Sequence, residues 1–125
     1  MSGEADLSGC RVLVVEDDFY LATDAARALS VAGAEVLGPC ATEADAREEL
    51  AQARPDAVLL DINLGSGPTF ELAEKLKDEN IPFVFVTGYD QDVIPSEFAE
   101  VQRLEKPVQL RRVVSTLAKV LTPAT

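Results

Sequence analysis

The chain contains no histidine and no tryptophan, a single methionine and two cysteines. Without histidine, Ser-His-Asp and Cys-His catalysis are excluded, as is any metal centre built on imidazole. Cys10 and Cys40 lie too far apart to supply a zinc site, so reduced, partly buried thiols are expected. Basic side chains are also scarce, with 11 Lys and Arg against 22 Asp and Glu and a formal charge of −11. That balance argues against direct binding to nucleic acid, where affinity comes from neutralising phosphates. It favours solubility and raises the local concentration of cations. Nowhere do about 18 apolar residues follow one another, and Met1 to Ser8 has neither the basic start nor the apolar stretch of a signal peptide. The expectations are no membrane association and a cytoplasmic location.

What is present suffices for one folded domain. At 125 residues the chain can bury roughly two-thirds of its unfolded surface, and 47% hydrophobic with 26% charged residues is ordinary for a globular protein. Residues 1–10 read as a loose N-terminal tail, 11–121 as the folded domain and 122–125 as a C-terminal stub.

Five apolar, β-rich runs alternate with helical patterns. Arg11 to Val15 has the two-faced burial pattern of a parallel strand. Asp18 then caps a helix whose apolar positions are Phe19, Ala22, Ala26 and Leu29, closed by Gly33. Glu35 to Gly38 is a second strand, and Thr42 caps a helix through about Ala53. Ala57 to Leu60, Ile81 to Val86 and Val101 to Leu104 complete the strands. A Gly65-Ser66-Gly67-Pro68 loop leads into a helix from about Thr69 to Lys77. Between Tyr89 and Glu100 a helix start at Asp90-Gln91-Asp92 is broken by Pro95. Val108 to Leu121 is amphipathic, with Leu110, Val113, Val114, Leu117 and Leu121 on one face. Successive β/α units predict an α/β fold, a doubly wound five-stranded parallel sheet with helices on both faces.

Polar residues stand at corresponding strand ends: Glu16 and Asp17, then Asp61, Thr87 and Lys106. Their intervals match whole β/α units, so all should emerge on one sheet edge. In the flavodoxin-like order 2-1-3-4-5 the topological switch falls between strands 1 and 3, which brings Glu16, Asp17 and Asp61 into one crevice. Three carboxylates there would repel unless one took up a proton or a hard cation such as Mg²⁺ or Mn²⁺ bound. A carboxylate held on a strand beside that cation can attack phosphorus, with Lys106 and the Thr87 hydroxyl neutralising the phosphoryl oxygens.

Four segments in order, Val14-Val15-Glu16-Asp17-Asp18, Leu59-Leu60-Asp61-Ile62-Asn63, Val86-Thr87-Gly88 and Glu105-Lys106-Pro107, resemble the receiver domain of two-component response regulators from about Arg11 to Leu121. The resemblance implies that Asp61 is the phosphoacceptor and that Asp17 and Asp61 ligate Mg²⁺ directly. It also implies that Glu16 acts through water and that the Asn63 backbone carbonyl completes the protein ligands. Thr87 and Lys106 would contact the phosphoryl group, and the Lys106–Pro107 bond would be cis. The phosphoryl donor would be a histidine kinase or histidine phosphotransferase, and a downstream protein partner would read the result. Having no histidine, this chain cannot itself be the donor.

Arg103 stands where receivers commonly carry an aromatic switch residue, and it is expected to point to solvent. The segment Pro82 to Tyr89 is similar to a Phe-x-Thr-Gly-Tyr signature of stand-alone receivers, found especially in alphaproteobacteria. This makes Tyr89, beside Gly88, the candidate substitute for the switch. Under this reading the chain is a single-domain regulator or a phosphate shuttle or sink, and it catalyses only its own phosphorylation and dephosphorylation. Two alternatives stay open: a receiver-like interaction module that accepts no phosphate, and a haloacid-dehalogenase-type phosphatase. Against the second, such sites need another acid two residues beyond the nucleophile, and Asn63 stands there.

Overall fold

A computed structural model describes residues 6–65, 68–88 and 93–121. The strands are β1 (Arg11–Val15), β2 (Glu35–Cys40), β3 (Ala57–Asp61), β4 (Phe83–Thr87) and β5 (Arg103–Glu105). The helices are α1 (Phe19–Val31), α2 (Glu43–Gln52), α3 (Glu71–Asp78) and α4 (Leu110–Leu121). All strand pairings are parallel, in the order β2-β1-β3-β4-β5. This is the flavodoxin-like fold the alternation predicts.

Side chains alternate across the sheet, and each face has its own core. Leu13, Val15, Leu60 and Phe85 pack with Ala46 of α2 and with Leu72, Ala73 and Leu76 of α3. Val12, Val14, Leu59 and Val84 pack on the other face with Ala25 and Leu29 of α1 and with Val113 and Leu117 of α4. Every residue of β3 and β4 is buried, which explains their unbroken apolar reading. The capping residues act as the sequence predicts. Asp18 accepts hydrogen bonds from the Tyr20 and Leu21 amides, and Thr42 accepts one from Asp45.

Several expectations need correction. Phe19 is 73% exposed, so the buried stripe of α1 is Ala22, Ala25 and Leu29. The aromatic ring opens the helix before α1 has come down onto the sheet. Leu7, assigned to a loose tail, is 1% exposed, and its amide donates to the Ala32 carbonyl. β2 runs on through Pro39 to Cys40, which is tolerable because β2 is an edge strand. β5 starts two residues later than expected, as does the last helix. Between β4 and β5 the described residues include a 3₁₀ turn, Ser96–Phe98, following Pro95. The expected helix start at Asp90 to Asp92 lies outside the described residues. Cys10 and Cys40 are free thiols, and burial pushes the Cys40 thiol above its ordinary range, helped by Glu49 and Asp45.

Gly38 sits where the β1–β2 register shifts between Leu13 and Val15. Its φ is +82°, and a Cβ there would lie 2.8 Å from the Cys40 amide nitrogen and 3.1 Å from the Val14 carbonyl oxygen. Both are backbone atoms that cannot swing aside. Gly38→Ala should therefore destabilise the protein by about 1–3 kcal/mol, read from urea unfolding midpoints.

Candidate phosphoacceptor site

β1, β3, β4 and β5 present their carboxyl ends side by side. Register pairs Val15 with Leu60, Asp61 with Val86 and Thr87 with Glu105. Glu16, Asp61, Thr87 and Lys106 are thus brought to one edge. Carboxylate oxygens of Glu16, Asp17 and Asp61 lie within 4.8 Å of one another. Asp61 and Glu16 are 2% and 3% exposed, while Asp17 is open to solvent.

One ammonium holds the two buried acids together. The Lys106 Nζ lies 3.1 Å from Asp61 Oδ2 and 3.4 Å from Glu16 Oε2. The other Asp61 oxygen accepts the Asn63 amide at 2.9 Å, and the Asn63 side chain in turn accepts the Gly65 amide at 2.9 Å. Glu16 Oε2 accepts the Asp18 amide at 3.0 Å, whereas Glu16 Oε1 is buried with no hydrogen-bond partner.

These surroundings set the charges. Burial, followed by the adjoining Asp61 carboxylate, pushes the Glu16 carboxyl from 4.5 up to about 8. The Asp18 amide and Lys106 pull weakly the other way. Burial disfavours the Lys106 ammonium, but the hydrogen bond and charge of Asp61, then those of Glu16, overcome it and hold the group above its ordinary range. At neutral pH the Glu16 carboxyl is therefore mostly protonated in the metal-free protein, with the Lys106 ammonium 3.4 Å away.

A cleft of about 550 Å³ opens above this row, lined by Asp17, Asp18, Asp61, Asn63, Gly65, Gly88 and Lys106. Thr87 is fully buried, and its carbonyl accepts the Lys106 amide at 2.9 Å. Gly88, next in sequence, reaches the cleft wall. Asp18 and Gly65 were not among the site residues expected from sequence. Gly65 has φ +103°, and a Cβ there would lie 3.6 Å from Asp17 Oδ2, so this turn closes one side of the cleft. Its only sequence signal was loop punctuation. The Lys106–Pro107 and Gly38–Pro39 bonds are both cis; the sequence carried an expectation for the first alone.

Arg103 does not simply point to solvent. Its side chain is only partly exposed, and Nη1 is buried without a hydrogen-bond partner, because residue 103 faces the same side of the sheet as Phe85, with which it is in register. Tyr89 lies outside the described residues.

The donor set suits a hard divalent cation: oxygen ligands of one sign, an orphaned carboxylate oxygen, and an open side for water. No helix among the described residues is long and apolar enough to cross a membrane.

The response regulator receiver domain family matches residues 12–118. The sensory transduction protein LytT of Bacillus cereus is 40% identical over 114 residues, which cover 87% of this chain and 46% of LytT. The chain thus spans about half the length of the curated relatives it matches. Among solved structures, SdrG of Sphingomonas melonis is 32% identical with a TM-score of 0.75, covering 98% of this chain and 100% of SdrG. The response regulator PhyR of Brucella abortus is 26% identical with a TM-score of 0.80, covering 94% of this chain and 49% of PhyR. With the fold, the acidic row and the family match in agreement, this chain belongs to the response regulator receiver domain family of two-component signalling.

Proposed function

We propose that Asp61 is the phosphoacceptor of a response regulator acting through protein–protein contacts. The observation that carries this reading is the buried Asp61 carboxylate, 3.1 Å from the Lys106 ammonium and within 4.8 Å of two further carboxylates. An Asp61 oxygen attacks the phosphorus of a phosphohistidine on a histidine kinase or phosphotransferase. The P–O bond forms as the P–N bond breaks, and the imidazole leaves. Lys106 shifts from the carboxylate to a phosphoryl oxygen, and the Thr87 hydroxyl donates to another. Glu16, Asp17, Asp61 and the Asn63 carbonyl would hold Mg²⁺ or Mn²⁺, whose charge neutralises the phosphoryl group when bound.

The match to SdrG over its whole length supports a regulator whose output is a changed surface. So does the Pro82 to Tyr89 segment, which supports placing the chain with the stand-alone Phe-x-Thr-Gly-Tyr receivers. Tyr89 is then the residue that reports the state of the site.

Acetyl phosphate with Mg²⁺, followed by intact-mass measurement, tests the reading. Wild type should gain one phosphoryl group, while Asp61→Asn should gain none and omission of Mg²⁺ should abolish the gain. An unchanged wild-type mass would overturn it.

A further inference from the structure

The connection that enters β5 carries little regular structure. Over residues 95–101 the backbone hydrogen bonds among the described residues stay within the segment: the Phe98 amide donates to the Pro95 carbonyl, Ala99 to Ser96 and Val101 to Phe98. A segment with no backbone ladder to a neighbouring element opens at lower cost than the strands it joins. Side chains hold it down instead. Ile94 and Phe98 are buried, and Val101 packs partly against the same core.

α3 grips this segment from both of its ends. At the start Phe70, the residue immediately before α3, stacks its ring on Phe98 with centroids 6.0 Å apart and planes 21° from parallel. In the last turn the exposed Lys77 donates from Nζ to the Glu97 carbonyl at 3.1 Å and stands 5.6 Å from the Phe98 ring centroid. Helix geometry offers this ammonium a nearer partner, since Glu74 lies three residues back on α3. Lys75 takes such a partner, Glu79, within the helix. Lys77 forms no ion pair among the described residues and reaches off α3 to the turn.

We propose that residues 94–101 form a strap that opens and closes as a unit over Phe83 and Phe85 of β4, with Lys77 as its latch. Two contacts reinforce each other when the strap is closed, because the ammonium bonds the backbone of the turn that carries the Phe98 ring into the aromatic cluster. Opening uncovers the face of β4 on which Thr87 also stands, two residues beyond Phe85. The latch thus sets how often the strand that delivers the Thr87 hydroxyl loses its backing. It acts in protein carrying neither metal nor phosphoryl group and is independent of transfer at Asp61.

Hydrogen exchange read by peptide mass tests the strap on the full chain in the presence of a chelator. Lys77→Met keeps the aliphatic stem and removes the ammonium. It should speed exchange over residues 94–101 about fivefold and leave β1 and β3 unchanged. Lys77→Arg, which keeps the charge and the donors, should stay close to wild type. Because Lys77 is exposed, both substitutions leave the core intact. Three results would overturn the proposal. One is exchange over residues 94–101 indifferent to Lys77→Met. Another is an equal rise along the whole chain, which would make Lys77 a general stabiliser. The third is faster exchange in α3 with the strap unchanged, which would mean that the ammonium serves only its own helix.

Discussion

Phe98→Ala should cost about 3–5 kcal/mol of unfolding free energy. Aromatic residues are few, yet four of the five phenylalanines share one cluster. Phe98 is fully buried with its ring centroid 5.7 Å from Phe85, 6.0 Å from Phe70 and 6.0 Å from Phe83. The Lys77 ammonium lies 5.6 Å from the same centroid and donates to the Glu97 carbonyl. Phe98 closes the 3₁₀ turn before β5, and it alone in that turn reaches the core. Its removal leaves a cavity beside Phe83 and Phe85 of β4 and Phe70 at the start of α3. Urea melts should show the loss in the midpoint. Phe19→Ala, at an exposed ring, should stay within about 0.5 kcal/mol of wild type.

The second large effect is on pH dependence. In the metal-free protein Glu16 is held near 8, against 4.5 for the free side chain, chiefly by burial and then by Asp61. Between those two values the native state binds a proton that the unfolded chain has released. Stability is therefore fully present below about 4.5 and declines as pH rises through about 8. A loss on the order of 5 kcal/mol is expected across that window. Urea melts at intervals of one pH unit in the presence of a chelator measure it. Glu16→Gln, which stays neutral, should flatten the slope; a slope unchanged by that substitution would show that another group carries it.

The spacing of polar residues after apolar runs was enough to place the acidic row on one sheet edge, because a parallel sheet aligns its strand ends, whereas the strand order was taken over from the flavodoxin-like pattern. The same alternation is blind to what lies beyond a period. Helical spacing marked Phe19 as a core position, since the pattern does not say where a helix leaves the sheet. Leu7 is a lone apolar residue among polar neighbours, and one residue makes no period. Arg103 was read by its charge, whereas its place in a strand set where its guanidinium went. The turn at Gly65, which walls the cleft, looked like any flexible loop until its left-handed backbone was seen against Asp17.

The two ends of the Asp61–Lys106 contact differ in how firmly they are anchored. Asp61 ends a wholly buried strand clamped by neighbours on both sides. Lys106 follows a three-residue strand that, among the described residues, pairs on one side only. A load applied across this contact is resisted by one anchor and yielded to by the other. Whatever enters the cleft and pulls Lys106 off the carboxylate is expected to displace β5 more readily than β3. Such mechanical compliance gives the molecule a direction in which to transmit change, from a stiff nucleophile toward a soft rim.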